Sequence, residues 1–324
     1  MSFHIRAFKP EEDIPSLVNL RAEIEAVDRV GSNTSEAAVQ AQMKWRGHDP
    51  SRDRWVVETA EAPGRFLGHA WIFAQSPTRS ILSVAVHPAW RRRGLGSSLL
   101  QKALHRADET GAHQLVSATE ANNTAGRTFL EVNHFFEVGH NRFLSAPSIA
   151  PLPAVEFPSG FTLQSFETIK NLSLLVKACN ECYRDMWGHR ENTEASTEGF
   201  YSEMMQDDPE YFPPAGIFIL FAPDQSVAGV SFCRVEGGQK IIDSPANAPA
   251  FRTLGLLRPL VLASMHWLNN LAGGDIQLQT WGDSENAVQV YKALGFTLDE
   301  NNHVIEYLLA EDKSLVRSND KEEH

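Results

Sequence analysis

Residues 84–100, VAVHPAWRRRGLGSSLL, join an apolar run to an amphipathic pattern through a loop of three arginines and two glycines. The apolar run predicts a buried strand that ends near Pro88. Apolar residues then recur at helical spacing, at Leu95, Leu99, Ala103, Leu104 and Ala107. That spacing predicts a helix from about residue 95 to residue 110, ended by Gly111.

The loop between this strand and this helix has the chemistry of a phosphate-binding turn. The first amides of a helix lack internal partners, and the helix dipole favours negative charge there. Gly94 and Gly96 would let a pyrophosphate approach the backbone, and the arginines add positive charge. Neither G-x-x-x-x-G-K-S/T nor the dinucleotide G-x-G-x-x-G is present. An ordinary helix start with a solvated basic turn is the alternative explanation.

The same unit is written twice in the chain. HPAWRRRGLGSSLL (87–100) aligns with APAFRTLGLLRPLV (248–261), and residues 126–135 align with 287–296, both 161 residues later. FHIRAF (3–8) resembles FTLQSF (161–166) at an offset of 158. Agreement at three separated places indicates an internal repeat.

The repeat divides the 324 residues into two domains of ordinary size. We expect a first domain at 1–145, a linker with four prolines at 146–160, a second domain at 161–311 and a charged tail at 312–324. Each domain is predicted to be an α/β (α+β) unit, a mixed central sheet flanked by helices.

Local patterns predict the order of elements in the first copy. A helix follows the first strand, with Pro15 in its first turn. A second helix over about 35–44 is capped by Ser35, and a short helix covers 124–132. Strands are expected at 4–8, 55–58, 67–74, 80–86 and 114–119.

Composition limits the classes of partner. The formal net charge is −12, so a nucleic acid or an anionic membrane is not an expected partner, and an amine-bearing substrate fits better.

Cys179 and Cys182 have C-x-x-C spacing inside an apparent helix, which indicates two helix-face thiols. The twelve histidines form no H-E-x-x-H cluster, so no metal is expected. The N-terminus lacks a signal-peptide core, and no run reaches membrane-spanning length, which predicts a cytoplasmic protein.

The motif R-x-x-G-x-G (Arg91–Gly96) after V-x-V-x-P (Val84–Pro88) resembles motif A of the GCN5-related N-acetyltransferase (GNAT) superfamily. The resemblance implies acetyl-CoA as acyl donor, with transfer to a primary amine of a small molecule or peptide. It covers nearly the whole chain, once per copy, and the tandem arrangement is similar to that of the mycothiol synthase family. A monomer with two pseudo-equivalent domains and a homodimer both fit.

The resemblance also implies the cofactor contacts. The main chain of Val84, Ala85 and Val86 would pair with the pantetheine arm of acetyl-CoA. The pyrophosphate would be bound by Arg91, Arg92, Arg93, Gly94, Leu95, Gly96, Ser97 and Ser98. Asn123 matches a frequent cofactor-contacting asparagine.

The two copies divide the catalytic groups. In the superfamily a tyrosine in Y-x-x-x-G-F serves as acid and a carboxylate on the fourth strand as base, which maps to Tyr291 and Asp243 in the second copy. The first copy has Leu130 and Leu82 at those positions, although its loop is intact. The second loop is degenerate, because Leu257 replaces a glycine and Pro259 removes an amide. Ser284 takes the asparagine position there.

Three hypotheses remain open from the sequence. In the first, the N-terminal copy catalyses transfer with Glu120 or water as base, or by orientation alone. In the second, catalysis is confined to the C-terminal copy. In the third, the protein is a non-catalytic acyl-CoA-binding regulator. Side chains expected to meet the substrate are Glu23, Glu25, Asp28 and Arg29 in the first copy, and Asp185, Trp187, Gly188 and His189 in the second.

Overall fold

A computed structural model describes residues 3–29, 34–45, 48–76, 78–148, 151–186, 189, 197–199, 201–202, 212–236, 238–271, 274–281 and 285–310. Their contacts define two compact units. Unit one lies within residues 1–138 and 304–316, and unit two lies within residues 139–303. The segments Trp187–Gly188 and Ser284, singled out above, fall outside the described residues.

Unit one is a mixed sheet with helices. Its elements are β1 (Phe3–Ala7), α1 (Pro10–Asp28), α2 (Glu36–Met43), α3 (Pro50–Asp53), β2 (Arg54–Thr59), β3 (Gly68–Ala74), β4 (Arg79–Val86), α4 (Leu95–Thr110), β5 (Gln114–Glu120) and α5 (Thr124–Val132). The strand order is β1-β2-β3-β4-β5-β12, where β12 (Thr297–Ala310) is the last strand of the chain. Within β1–β5, β4 and β5 run parallel, and the other neighbours are antiparallel.

Unit two repeats this plan. The remaining elements of the chain are β6 (Phe136–Ala146), β7 (Thr162–Ser165), α6 (Phe166–Ile169), α7 (Leu172–Tyr183), β8 (Ile217–Phe221), β9 (Val227–Glu236), β10 (Gln239–Asn247), α8 (Leu257–Asn269), β11 (Ile276–Trp281), α9 (Glu285–Ala293) and β12 (Thr297–Ala310), of which residues 304–310 belong to unit one. The strand order is β6-β11-β10-β9-β8-β7, with the parallel pair at β10 and β11.

Each unit takes one strand from the other half of the chain. Residues 304–310 of β12 pair antiparallel with β5, and residues 141–146 of β6 pair antiparallel with β11. Ile305, Tyr307 and Leu308 are thereby buried. The units therefore do not coincide with the predicted boundaries at 145 and 161. The physical reason is that strand pairing across long sequence separation, not the proline-rich composition of a segment, decides which residues share a sheet.

The repeat seen in the sequence is also present in the packing. A Cβ placed on Gly68 would lie 3.0 Å from Leu99 Cδ1 and 3.1 Å from the carbonyl oxygen of Ala85. A Cβ on Gly229 would lie 3.2 Å from Leu260 Cδ2 and 3.1 Å from the carbonyl oxygen of Ala246. All three residues of the second set lie 161 positions after those of the first. Each unit thus packs its central helix on its sheet at an equivalent glycine.

Several local predictions are confirmed. Helix α4 spans Leu95–Thr110, and Gly111 ends it with a φ of 76°. The Ser35 side chain caps α2 by accepting a hydrogen bond from Ala38 N at 3.2 Å. Helix α5 spans Thr124–Val132.

The prediction for Pro15 is wrong. Helix α1 begins five residues earlier, at Pro10, so Pro15 lies inside the helix. The amide of Lys9, the N-cap residue, donates to the Asp13 carboxylate at 2.8 Å. A capping contact of this kind, with Pro10 in the first turn, favours a helix start that the apolar pattern alone does not reveal.

The proline-rich segment packs on unit two. Leu152 and Val155 contact the core formed by β10, β11, α8 and α9, and Phe157 contacts a smaller cluster that includes Leu220. Its apolar residues thus contribute to the packing of that unit.

In the part of the chain that the structure describes, no helix is both long and apolar enough to cross a membrane.

Candidate active site

Strands β4 and β5 of unit one separate along their length. They pair only where Arg79–Ile81 meets Gln114–Val116, whereas β4 stays paired with β3 up to Val86. Beyond Ile81, the edge of β4 that faces β5 therefore has no strand partner among the described residues. Val84, Ala85 and Val86, the residues expected to bind pantetheine, lie in this stretch of β4, where main-chain groups that face β5 have no strand partner among the described residues.

The loop after β4 presents unpaired amides. Arg92 and Gly94 both have positive φ, at 60° and 82°, and Gly94 precedes α4 without a side-chain cap. The first amide of this region to find a main-chain acceptor is that of Ser98, which donates to Gly94 O at 3.0 Å. The amides of residues 92–97 donate to no acceptor in the described part of the chain. Alternating left-handed residues at a helix start form an anion-binding concavity.

The three loop arginines have different surroundings. Arg91 donates to both carboxylate oxygens of Asp28, at the end of α1, and to the carbonyl oxygen of Val86. It therefore ties the loop to α1 and to β4. Arg92 is exposed, and Arg93 lies 4.6 Å from the Trp90 ring centroid in a cation–π contact. Arg92 and Arg93 are thus the loop arginines placed to meet a ligand from solvent.

The remaining predicted cofactor residues lie at the starts of α4 and α5. Leu95 is buried, and a Cβ on Gly96 would lie 3.1 Å from the Phe129 ring, so glycine allows α5 to pack closely. Ser97 and Ser98 are exposed. The Asn123 side chain caps α5, accepting from Gly126 N at 3.0 Å and donating to Thr119 Oγ1 at 3.1 Å. Asn123 is thus engaged in shaping the turn after β5.

Carboxylates surround the open end of β4 and β5. Burial raises the pKa of Glu120, the last residue of β5, and the nearby charges of Glu25 and Asp28 raise it further. The His87 imidazole, at the end of β4, has Nε2 3.3 Å from a Glu23 carboxylate oxygen and accepts at Nδ1 from Ala89 N. A carboxyl group with a raised pKa beside an open sheet edge is suited to accept a proton.

The corresponding loop in unit two has fewer cationic side chains before its glycine and more buried apolar residues after it. Gly255 has a φ of 70°, as Gly94 does, but Leu256 beside it is fully buried and Pro259 is buried. Arg252 repeats the contacts of Arg91, because it donates to both oxygens of Asp185, at 2.6 and 2.7 Å, and to Asn247 O at 3.2 Å. The repeat therefore preserves the arginine that holds the loop against the preceding helix, whereas Thr253 and Leu254 replace Arg92 and Arg93, and the exposed Arg258 replaces Ser97.

The two residues expected to be catalytic in unit two, Asp243 and Tyr291, both contact neighbouring polar groups of the same unit. Asp243 forms an ion pair with Arg234 and accepts from Ser244 Oγ at 2.9 Å. Tyr291 is fully buried, and its hydroxyl lies 3.5 Å from Pro245 O, within a bulge of β10 between Asp243 and Ala246. The structure thus places the two side chains near the same bulge.

The other candidate groups of unit two, His189, Cys179 and Cys182, are buried. His189 is 8% exposed, and its Nε2 lies 3.0 Å from Asn180 Oδ1. Cys179 and Cys182 are unbridged and buried on α7, where burial raises the pKa of Cys179 to about 12 and that of Cys182 well above its ordinary value. No group of three metal-ligating side chains occurs within the described residues.

Two side-chain contacts of unit one, those of Arg91 and Tyr307, were not predicted from the sequence. The role of Arg91 was detectable, because an arginine recurs at the equivalent position of the repeat and an aspartate closes the first long helix of each copy. The second feature is Tyr307 of β12, whose hydroxyl accepts from Arg127 Nε at 3.2 Å in α5. Nothing in the local sequence indicates that this late residue lies beside α5.

In unit one, the parallel strands β4 and β5 thus separate beside the glycine-containing start of α4. Residues 19–135 match the acetyltransferase (GNAT) family model, so the chain carries a GNAT-family acetyltransferase domain.

Similar proteins extend this result over both units. A mycothiol acetyltransferase of Rhodococcus erythropolis is 28% identical over 71% of this chain and 77% of its own length. One of a Nocardioides species is 26% identical over 88% of this chain and 97% of its own. A GCN5-related N-acetyltransferase from Sphaerobacter thermophilus has a TM-score of 0.72 at 18% identity, covering 95% of each chain. A tandem GNAT protein from the clavulanic acid biosynthesis pathway has a TM-score of 0.61 at 16% identity, covering 98% of this chain and 100% of its own. The protein is therefore an acyltransferase with a tandem GNAT fold.

Proposed function

We propose that the protein is an acetyl-CoA-dependent N-acetyltransferase and that unit one carries its active site. The observation that carries the proposal is the run of unpaired amides at residues 92–97, beside the free edge of β4. The diphosphate of acetyl-CoA would bind these amides together with Arg92 and Arg93, and the pantetheine would pair with Val84–Val86.

Glu120 is the proposed general base. The acceptor nitrogen loses a proton to Glu120 and attacks the thioester carbonyl, so that a C–N bond forms and the C–S bond breaks. The released thiolate takes its proton from water, since the position of the superfamily tyrosine is Leu130, which is buried in the core. Binding both reactants side by side supplies much of the rate enhancement.

We propose a small-molecule primary amine as the acceptor. Its ammonium form would be attracted by Glu23, Glu25 and Glu120, which lie at the ends of α1 and β5. The curated relatives are named mycothiol acetyltransferases, which supports a small-molecule acceptor.

The test exchanges loop residues between the two copies. Arg92 and Arg93 correspond to Thr253 and Leu254, and the arginines are exposed, so an Arg92→Thr, Arg93→Leu variant should fold normally. Calorimetric titration should show acetyl-CoA binding about 10- to 100-fold more weakly to this variant. The control is Arg65→Gln, an exposed arginine of the same unit.

Catalysis confined to unit two is the second placement of the site, with Tyr291 as acid and Asp243 as base. Tyr291→Phe separates the two placements, because it should leave acetyl transfer nearly unchanged if unit one is catalytic. Unchanged acetyl-CoA affinity in the loop variant, together with a large loss of turnover in Tyr291→Phe, would transfer the proposal to unit two. Binding of acetyl-CoA without release of CoA for any amine tested would instead support a regulatory binding protein.

A further inference from the structure

Basic side chains converge inside unit one on the sheet face covered by α1 and α2. We call Arg21, His48, Arg54 and His69 the Arg54 cluster. Arg54 is fully buried, its Nε donates to His48 Nε2 at 2.7 Å, and His69 is 3% exposed. His69 interacts electrostatically with the other three. The cluster is therefore a single group of neighbouring cations and imidazoles.

Among the described residues, four buried polar atoms of this cluster have no hydrogen-bond partner. They are Nη1 and Nη2 of Arg54, Nε2 of His69 and Nδ1 of His48. Trp45 and Trp71 lie beside the guanidinium, with ring centroids 5.7 and 5.8 Å from Arg54 Cζ. Buried donors of a folded protein are nearly always satisfied, so a partner from outside the chain is expected.

Charge indicates the nature of that partner. Burial, together with the neighbouring charge of Arg21 and against the opposing charge of Asp53, lowers the pKa of Arg54 to about 9, so Arg54 is a cation at neutral pH. Asp53, whose charge acts on Arg54, forms an ion pair with Arg106 Nε at 2.9 Å and lies 3.6 Å from His48 Nδ1, and among the described residues Arg54 itself has no direct ion pair. A buried cation without a counter-ion is strongly destabilising. Water could satisfy the hydrogen bonds of the cluster, but it cannot supply the opposite charge.

Unit two demonstrates that the fold does not need these charges. Arg54 is the cross-strand partner of Trp71, and His69 follows Gly68. At the equivalent positions, Ile217 is the cross-strand partner of Phe232, and Val230 follows Gly229. Ile217, Val230 and Phe232 are all buried in one apolar core. Unit one therefore has a basic group where the same architecture is otherwise filled by hydrocarbon.

We propose that the Arg54 cluster is a buried binding site for the carboxylate of a small anionic molecule. The two terminal nitrogens of Arg54 form the fork that binds a carboxylate through two parallel hydrogen bonds. Arg21 adds a second positive charge, and His69 adds a polar atom. The proposal does not depend on acetyl transfer, because none of these residues belongs to the proposed cofactor or base site.

The test compares the wild type with a variant that takes its residues from unit two, Arg54→Ile with His69→Val. Thermal unfolding is followed in acetate from about 1 to 100 mM, with ionic strength held constant by chloride. Because a ligand that binds only the folded state stabilises it, we expect wild-type Tm to rise by a few degrees with acetate. The variant should not respond, and without acetate it should melt at or above wild-type Tm. Arg65→Gln should keep the wild-type response.

A second measurement applies if the double variant does not fold. Wild-type crystals soaked in bromide should show an anomalous peak within hydrogen-bond distance of Arg54 Nη1 and Nη2, and acetate should displace it. Equal acetate responses in wild type and variant would overturn the proposal. So would the absence of any acetate-specific shift, or density for water alone at Arg54.

Discussion

Glu120 is the residue at which stability and activity should oppose each other. Its carboxyl pKa is raised in the folded protein, first by burial, so the ionised form costs stability at neutral pH. We expect Glu120→Gln to lower acetyl transfer on the order of 100-fold or more, if Glu120 is the base. The same substitution should raise Tm at pH 8.

The pH dependence of this stability gain has a defined sign. A raised folded-state pKa means that the unfolded chain releases the proton first as pH rises, so the cost of ionised Glu120 appears at neutral pH and disappears in acid. The Tm difference between Glu120→Gln and wild type should therefore shrink as pH falls towards the unfolded pKa of glutamate. Asp108→Asn, at an exposed site on α4, is the control and should give no such gain.

Neighbouring arginines of one loop should behave differently. Arg91→Gln removes the ion pair with Asp28 and the hydrogen bond to Val86 O, and we expect Tm to fall by several degrees, since charged hydrogen bonds contribute about 1.5–3 kcal/mol each. Arg93→Gln removes an exposed charge and should leave Tm nearly unchanged while weakening acetyl-CoA binding. Differential scanning calorimetry measures Tm for both variants. Equal losses of Tm in the two variants would contradict this division of roles.

At the scale of elements, the start of α5 tests whether Asn123 has more than a capping role. Asn123→Ala removes both of its side-chain hydrogen bonds, and the free energy of unfolding should fall by about 1 kcal/mol. Asn123→Ser keeps a capping oxygen and should recover most of that loss in chemical denaturation. If Asn123 also contacts acetyl-CoA, the serine variant should still bind the cofactor more weakly than wild type.

Element positions were largely readable from the sequence, because they depend on local chemistry. The i, i+4 apolar spacing and Gly111 defined α4, and Ser35 defined the start of α2. The start of α1 was missed, since a contact between Lys9 and Asp13 fixed it rather than apolar periodicity. Glu120 could be selected as a base candidate, but its raised pKa depends on Glu25 and Asp28, which only folding brings near it.

For the whole molecule, the exchanged strands make each unit dependent on the other half of the chain. Residues 1–146 alone lack the strand that covers β5, and Ile305 and Tyr307 would be missing from their core. We expect this fragment to aggregate or to show little hydrogen-exchange protection in β5.

A matched fragment tests the same point. Residues 1–138, joined by a flexible linker to residues 297–310, should restore protection in β5 and raise solubility relative to residues 1–146. Independent, cooperative folding of residues 1–146 with a protected β5 would show that β12 is dispensable for unit one.

The sequence by itself determined the repeat and the fold class, and it predicted a phosphate-binding loop after β4, because each of these depends on nearby residues through hydrophobic period, turn chemistry and helix-start amides. Only the tertiary structure decided which residues share a unit, which arginine braces the loop and where basic side chains are buried together. Those outcomes depend on strand register and on contacts between residues far apart in the chain, such as Arg91 with Asp28 and Tyr307 with Arg127. Hydrophobic period and turn chemistry do not specify such pairings, although the internal repeat gave a hint of the role of Arg91.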